Sequence, residues 1–334
     1  MEIAVDLGTA NVLVAVRGKG IVLREPSVVA VERDSGRLVA IGDKARQMLG
    51  RTPGSIVASR PLRDGVIADY DITEAMLRHF IARVTPGRSM TRPRVMVCIP
   101  TGATGAERRA VREAAQSAGA GKVELIEEPL AAALGVGLDI TKASGHMVVD
   151  IGGGTTDVAV LTLGGIAASD SVRVGGDTMD AAISHELKSA YSLAIGERTA
   201  EEVKIEVGSV HPDGRVGAID IRGRDLLTGM PRTITLTPAD VRPILMEPAH
   251  QIVDSVRRVL EETAPELLAD ILDRGIWLTG GGSLLHGMPE LISRETGLPA
   301  QRAEDPMSSV ALGTARALEM ELVGRHIVVF KRVI

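Results

Sequence analysis

Residues 148 to 160 read VVDIGGGTTDVAV. An apolar run ends in Asp150, passes through Gly152, Gly153 and Gly154, meets Thr155, Thr156 and Asp157, and turns apolar again. On its own such a stretch fits an ordinary hairpin turn, because glycine and aspartate are common turn residues. Residues 3 to 16, IAVDLGTANVLVAV, repeat the pattern: apolar strand, Asp6, aliphatic, Gly8, a small polar turn and a second apolar strand. Two copies so far apart exclude a solenoid repeat. They predict two related lobes, each opening with a hairpin whose tip carries an acid and glycines.

Such tips suit phosphate. Glycine lets backbone N–H groups approach an anion closely, and Thr9, Thr155 and Thr156 add hydroxyl donors. Asp6 and Asp150 repel phosphate directly but fit a divalent cation lying between them and it. Magnesium keeps several waters, so these carboxylates would hold it largely through its water shell. A third glycine run, Gly280-Gly281-Gly282, follows the strand-like Ile276 to Thr279 and precedes the helix-like Leu284 to Thr296. A glycine turn between strand and helix suits a nucleotide.

The intervening segments read as alternating strands and helices, an α/β pattern. Asp71 and Glu74 are spaced as a capping box before a face of Met76, Leu77, Phe80, Ile81 and Val84. Thr104 and Glu107 form a second box, before a helix that ends at Gly119. Glu128-Pro129 starts a third helix. Strands are expected at 95–99, 147–149 and 158–163, and 211–237 reads as a hairpin-rich insertion. A P-loop needs G-x-x-x-x-G-K-[ST], and Gly119-Ala120-Gly121-Lys122-Val123 lacks its first glycine and final hydroxyl. A dinucleotide-binding G-x-G-x-x-G is missing at both tips.

The chain has 334 residues, 45% of them apolar, enough for two lobes with substantial cores. A net charge of −5 and 1% aromatics argue against a nucleic-acid partner. The single cysteine, Cys98, rules out a disulfide framework or a cysteine-rich metal site and reads as a core residue. The opening residues follow a strand pattern, so neither a signal peptide nor an amphipathic N-terminal anchor is expected. No apolar run reaches the ~20 residues that span a bilayer. A cytoplasmic protein, at most peripheral to a membrane, is expected.

The ordered series DLGTANVLV (6–14), RPLRDGVIADYDITEAMLRHFI (60–81), ERRAVREAA (107–115), IEEPLAAALGVGL (126–138), DIGGGTTDVAV (150–160), RGRDLLTGMPRTI (222–234), LTGGGSLLHGMPELI (278–292), ETGLP (295–299) and AEDP (303–306) covers nearly the whole chain. It resembles the actin, DnaK-type chaperone and sugar kinase superfamily, and within it the MreB family of bacterial actins. The resemblance implies an actin-like, ribonuclease H-like duplicated fold: two lobes with four subdomains around a nucleotide cleft. The first lobe would span 1–138, with subdomain IB at roughly 30–65. The second would span 139–313, with subdomain IIB at roughly 177–240, and 314–334 would return to the first lobe.

By the same resemblance the cofactors are ATP and Mg²⁺, with Asp6 and Asp150 at the metal. Gly8, Thr9, Ala10 and Asn11 would form one phosphate tip, and Gly152, Gly153, Gly154, Thr155 and Thr156 the other. Glu128 matches the acid that positions the attacking water, and Thr155 the hydroxyl near the γ-phosphate. Glu127 is the rival acid, with an exposed helix-start role as its alternative. Glu201 and Lys204 match ribose and adenine contacts; an i,i+3 ion pair is their alternative. Gly281 and Gly282 would flank the nucleoside. Asp157 stands where many members have Glu.

The implied function is slow ATP hydrolysis coupled to homopolymer filaments beneath the inner membrane, organising cell-wall synthesis and rod shape. A membrane cell-shape partner such as RodZ is implied by resemblance alone. Membrane contact could involve Met90, in the basic loop Pro86 to Arg94, or the apolar and basic stretch Arg325 to Ile334, for which packing on the first lobe is favoured. The alternatives are a specialised MreB paralogue or a plasmid-segregating actin. A DnaK-type chaperone would need a substrate domain after AEDP, and a sugar kinase would need sugar-binding carboxylates; neither is expected.

Overall fold

The computed structural model describes residues 1–85, 91–213 and 215–322. Two five-stranded sheets form its frame. In the first, the strand order is Lys122–Glu127, Arg94–Ile99, Glu2–Leu7, Asn11–Val16, Gly20–Pro26. In the second it is Ala300–Arg302, Ile276–Thr279, His146–Ile151, Thr156–Thr162, Gly165–Val172. In each sheet the central strand runs parallel to two later strands on one side and opens an antiparallel meander on the other. The repeat in the sequence is therefore a repeat of topology, and each hairpin tip lies at the end of a central strand.

The inner strands of both sheets are largely apolar because both faces are covered. One face of the first sheet packs on Met76, Leu77, Phe80, Val111 and Ala115, and one face of the second on Met179, Ile183, Leu245, Val256 and Ile292. The opposite faces share a core with the helices Glu128–Val136 and Ser309–Leu322 between the sheets. A Cβ at Gly313 would lie 1.6 Å from the Ala131 carbonyl oxygen, and one at Gly135 1.8 Å from that of Ser309. Two glycines thus set the close approach of these helices and, through it, of the lobes.

Smaller units crown both lobes. Strands Val29–Glu32, Leu38–Ile41 and Ile56–Ser59, with the short helix Asp43–Arg46, cap the first. Helices Gly176–Ala190 and Glu197–Val207 and the sheet Leu193–Ala194, Ile219–Asp225, Pro231–Leu236 cap the second. The segment expected to be hairpin-rich does supply the antiparallel pair Ile219–Asp225 and Pro231–Leu236.

Two local expectations are corrected. The helix Tyr70–Val84 is capped by Asp69, which accepts from the Ile72 N–H at 3.1 Å, and not by Asp71. The Ala68 and Asp69 N–H groups are tied to the Pro61 carbonyl, which fixes the helix start two residues earlier. The stretch from Leu284 is not one helix: a 3₁₀ turn, Gly281–Leu284, precedes the helix Met288–Thr296, whose N-cap is Gly287. The Thr104–Glu107 capping box forms, with contacts of 3.3 and 2.7 Å. Met90 and Arg325 to Ile334 lie outside the described residues. No helix among the described residues is long and apolar enough to cross a membrane.

Candidate functional site: a cleft between two hairpin tips

The two tips face each other. A Cβ on Gly153 would approach Ala10 Cβ to 2.9 Å, and one on Gly154 would approach Thr9 Oγ1 to 2.7 Å. Side chains here would fill the gap that a ligand needs. Each tip is fixed from behind: Ser27 Oγ donates to the Gly8 carbonyl at 2.5 Å, and the Gly176 and Asp177 N–H groups donate to the Gly152 and Gly153 carbonyls at 3.0 and 2.8 Å. Thr9 Oγ1 accepts from the Gly65 N–H at 3.0 Å.

A cavity of ≈ 320 Å³ opens between the tips. Of the expected residues, Asp6, Gly8, Thr9, Ala10, Asn11, Glu128, Asp150, Gly152, Gly153, Gly154, Thr155, Glu201, Lys204, Gly280, Gly281 and Gly282 all line it. Thr156 does not: its side chain is fully buried and its hydroxyl donates to the Val174 carbonyl at 2.7 Å. Alternation along the strand turns Thr155 to the cleft and Thr156 away. The third glycine run has two roles. Gly280 has φ 76° and a Cβ there would meet the Ile151 carbonyl at 2.2 Å, whereas Gly281 has open space beside it.

Four carboxyl groups converge at the floor. Asp6 ends one central strand and Asp150 the other; Thr279 Oγ1 donates to Asp150 at 2.7 Å. Asp157 lies opposite Asp150 in the hairpin register and accepts from the Thr101 N–H at 2.7 Å. Glu128 begins the helix Glu128–Val136 and is buried. Burial raises Asp6 to about 6, opposed by its hydrogen bond from Cys98. Burial raises Asp150 to about 7, with the Thr279 bond opposing and Asp6 and Asp157 adding to the rise. Asp157 rises to about 6, again by burial. Glu128 is pushed well above the carboxylate range by burial and then by repulsion from Asp157, Asp150 and Asp6. Burial and mutual repulsion thus disfavour the charged forms of these four groups, and the hydrogen bonds from Cys98, Thr279 and Thr101 offset this only in part. Among the described residues no three His, Cys, Asp or Glu side chains converge as direct metal ligands. A hydrated ion does not need three, since one or two carboxylates suffice.

Glu127 is excluded from the cleft. It forms an ion pair with Arg108 at 3.0 Å and is largely buried, which also overturns its reading as an exposed helix-start acid. Glu201 and Lys204 do not pair with each other. Glu201 meets Arg46 of the first lobe at 2.6 Å, while Lys204 lies 2.9 Å from Asp180 and donates to the Gly176 carbonyl at 2.9 Å. Sequence reasoning missed Arg46, Asp180, Arg215 and Met307 on the cavity or its rim, and the role of Cys98. Its buried thiol lies 3.3 Å from Asp6 Oδ1 and so orients that acid. The signal for Cys98 was the parallel pairing of its strand with the one carrying Asp6, which appears only on folding.

Comparison with known proteins places this geometry. The family model described as MreB/Mbl protein matches residues 1–323. The cell shape-determining protein Mbl of Bacillus subtilis is 52% identical over 318 residues, covering 95% of this chain and 96% of its own length. The cell shape-determining protein MreB of Escherichia coli K12 is 52% identical over 324 residues, covering 96% and 93%. Crystal structures of MreB5 of Spiroplasma citri, bound to ADP and to AMPPNP, superpose with a TM-score of 0.91 at 37% identity, covering 96% of this chain and 98% of theirs. The MamK double helical filament, 23% identical with a TM-score of 0.81, shares the actin-like fold.

Proposed function

The chain belongs to the MreB/Mbl family, and on that premise we propose that it binds ATP in this cleft, hydrolyses it slowly and assembles into filaments that determine cell shape. The observation that carries the reading is the facing pair of glycine tips over buried Asp6 and Asp150. The N–H groups of Gly8 to Asn11 and of Gly152 to Thr155 are suited to the phosphate oxygens from two sides. Asp6 and Asp150 would hold Mg²⁺ largely through water. A dication beside these crowded carboxyl groups would favour their ionised forms and, when bound, would offset charge on the phosphoryl oxygens.

Glu128 and Thr155 line the γ-phosphate end in this reading and orient the attacking water. With a dication offsetting the neighbouring carboxylates, Glu128 would ionise, and its carboxylate would then accept a hydrogen bond from that water. Hydrolysis that rests on backbone donors, the Thr155 hydroxyl and the metal is expected to be slow. Glu201, Lys204, Gly281 and Gly282 would receive the nucleoside.

The subdomain boundaries we assign are 30–65 and 177–240 for the two crowning units. Peripheral attachment to the inner membrane, and a membrane partner, belong to this reading through family membership. Sedimentation with ATP and Mg²⁺, followed by electron microscopy of the pellet, tests assembly. Filaments that appear with ATP and not without it are expected. A chain that binds ATP and stays monomeric at all concentrations would overturn the polymer reading.

A further inference from the structure

We propose that Arg215 forms the nucleobase wall of the cleft, with one face of its guanidinium stacked on the base; this deepens the nucleotide reading above and rests on it. Beyond the phosphate tips the cavity lining includes Ile205, Leu284, Leu285 and Arg215, and Gly281 has open space beside it. Ile205 is 57% exposed and Leu284 45%, and both line the cavity, so part of its lining is apolar. Such a wall fits a flat, largely apolar group rather than more phosphate. No aromatic ring lines the cavity among the described residues. A base entering it has no ring to stack on, and a guanidinium plane is the other side-chain surface that stacks well on a π-face.

Arg215 is held in a fixed orientation for that role. Its Nη1 donates to the Gly208 carbonyl at 2.7 Å and its Nη2 to the Ile205 carbonyl at 2.5 Å. These carbonyls lie at the C-terminal end of the helix Glu197–Val207, where a cation is favoured. Both bonds run from the edge of the guanidinium, in its plane, so neither uses a flat face, and Arg215 lines the cavity. Because the side chain is already pinned, little rotamer freedom remains to be lost when a base arrives. The same helix carries Glu201 and Lys204, so Arg215 ties the base wall to the residues assigned to the nucleoside.

Equilibrium binding of AMPPNP and of ribose 5-triphosphate, which lacks the base, to wild type, Arg215→Ala and Arg215→Lys tests this. Arg215→Ala is expected to weaken AMPPNP by about tenfold, the size of a desolvated cation–π contact, and to leave the base-free triphosphate unchanged. Arg215→Lys keeps the charge and a donor for the helix end but has no plane, so it is expected to restore little of the loss. Equal weakening of both ligands would overturn the proposal in favour of a helix-end role. Full restoration by lysine, or unchanged AMPPNP affinity in Arg215→Ala, would overturn it as well. A wild-type chain that binds neither ligand would overturn the nucleotide reading itself, and this wall with it.

Discussion

At the scale of the residue, Glu128 is distinguished by its surroundings rather than its type. It is buried at a helix start and repelled by Asp157, Asp150 and Asp6. Glu128→Ala should keep ATP binding and lower phosphate release by about a hundredfold, the lower range for a positioned proton acceptor. Wild-type release rates in that variant would remove Glu128 from the chemistry. Glu128, Asp6 and Asp150 were legible because each sits at a marked place in the chain: before a proline, or at the end of an apolar strand. Asp157 and Cys98 were not, because their roles come from strand pairing. Asp157 joins the cluster only once the hairpin sets it opposite Asp150, and Cys98 reaches Asp6 only across two parallel strands.

The same acids give a pH dependence. Asp6, Asp150 and Asp157 stand at about 6, about 7 and about 6 in the folded chain against an ordinary 3.8. Between pH 4 and 7, roughly, these three groups therefore hold more protons in the folded state than in the unfolded one, and their contribution to stability falls as pH rises through that window. Melting temperatures taken in a chelator should fall from about pH 5.5 to 7, above the range in which the other carboxyl groups titrate, and Mg²⁺ with nucleotide should flatten the trend. A chelator profile that rises instead would contradict the carboxyl cluster as described.

At the scale of the element, the contact between Glu128–Val136 and Ser309–Leu322 depends on what two glycines lack. Gly313→Ala places a methyl group against the Ala131 backbone, and overpacking of this kind costs about 3 kcal/mol. Gly105→Ala, with open space around the site, should stay within about 1 kcal/mol of wild type. Thermal unfolding of the two variants checks the contrast; equal melting temperatures would mean that the helices can separate without loss. Sequence periodicity read these helices well where the cap was unambiguous, as at Thr104. It failed at Asp71 because two acids flank Tyr70, and the choice of Asp69 is made by the Pro61 carbonyl, eight residues away. It failed at Leu284 because the glycine run folds into a 3₁₀ turn before the helix begins.

At the scale of the whole molecule, the echo between residues 3–16 and 148–160 disclosed the duplication, and the two sheets repeat one strand order. What joins the lobes was not legible. Arg46 and Glu201 stand 155 residues apart, on opposite sides of the cleft, and meet at 2.6 Å. Local spacing could suggest for Glu201 only partners on its own helix, such as Lys204. Both side chains of the bridge keep some exposure, so its strength is modest, about 0.5–1 kcal/mol. Arg46→Ala should quicken dissociation of bound nucleotide by roughly two- to fivefold, read by displacement of a fluorescent ATP analogue. An unchanged rate would leave the bridge without a role in closure.

The central claim is that two glycine tips hold a nucleotide through a dication seated on Asp6 and Asp150. Equilibrium ATP affinity of wild type and Asp150→Ala, each in Mg²⁺ and in chelator, tests it most directly. Wild type should bind at least about tenfold more tightly in Mg²⁺, and Asp150→Ala should lose most of that difference. Equal affinity in all four conditions would contradict the clamp.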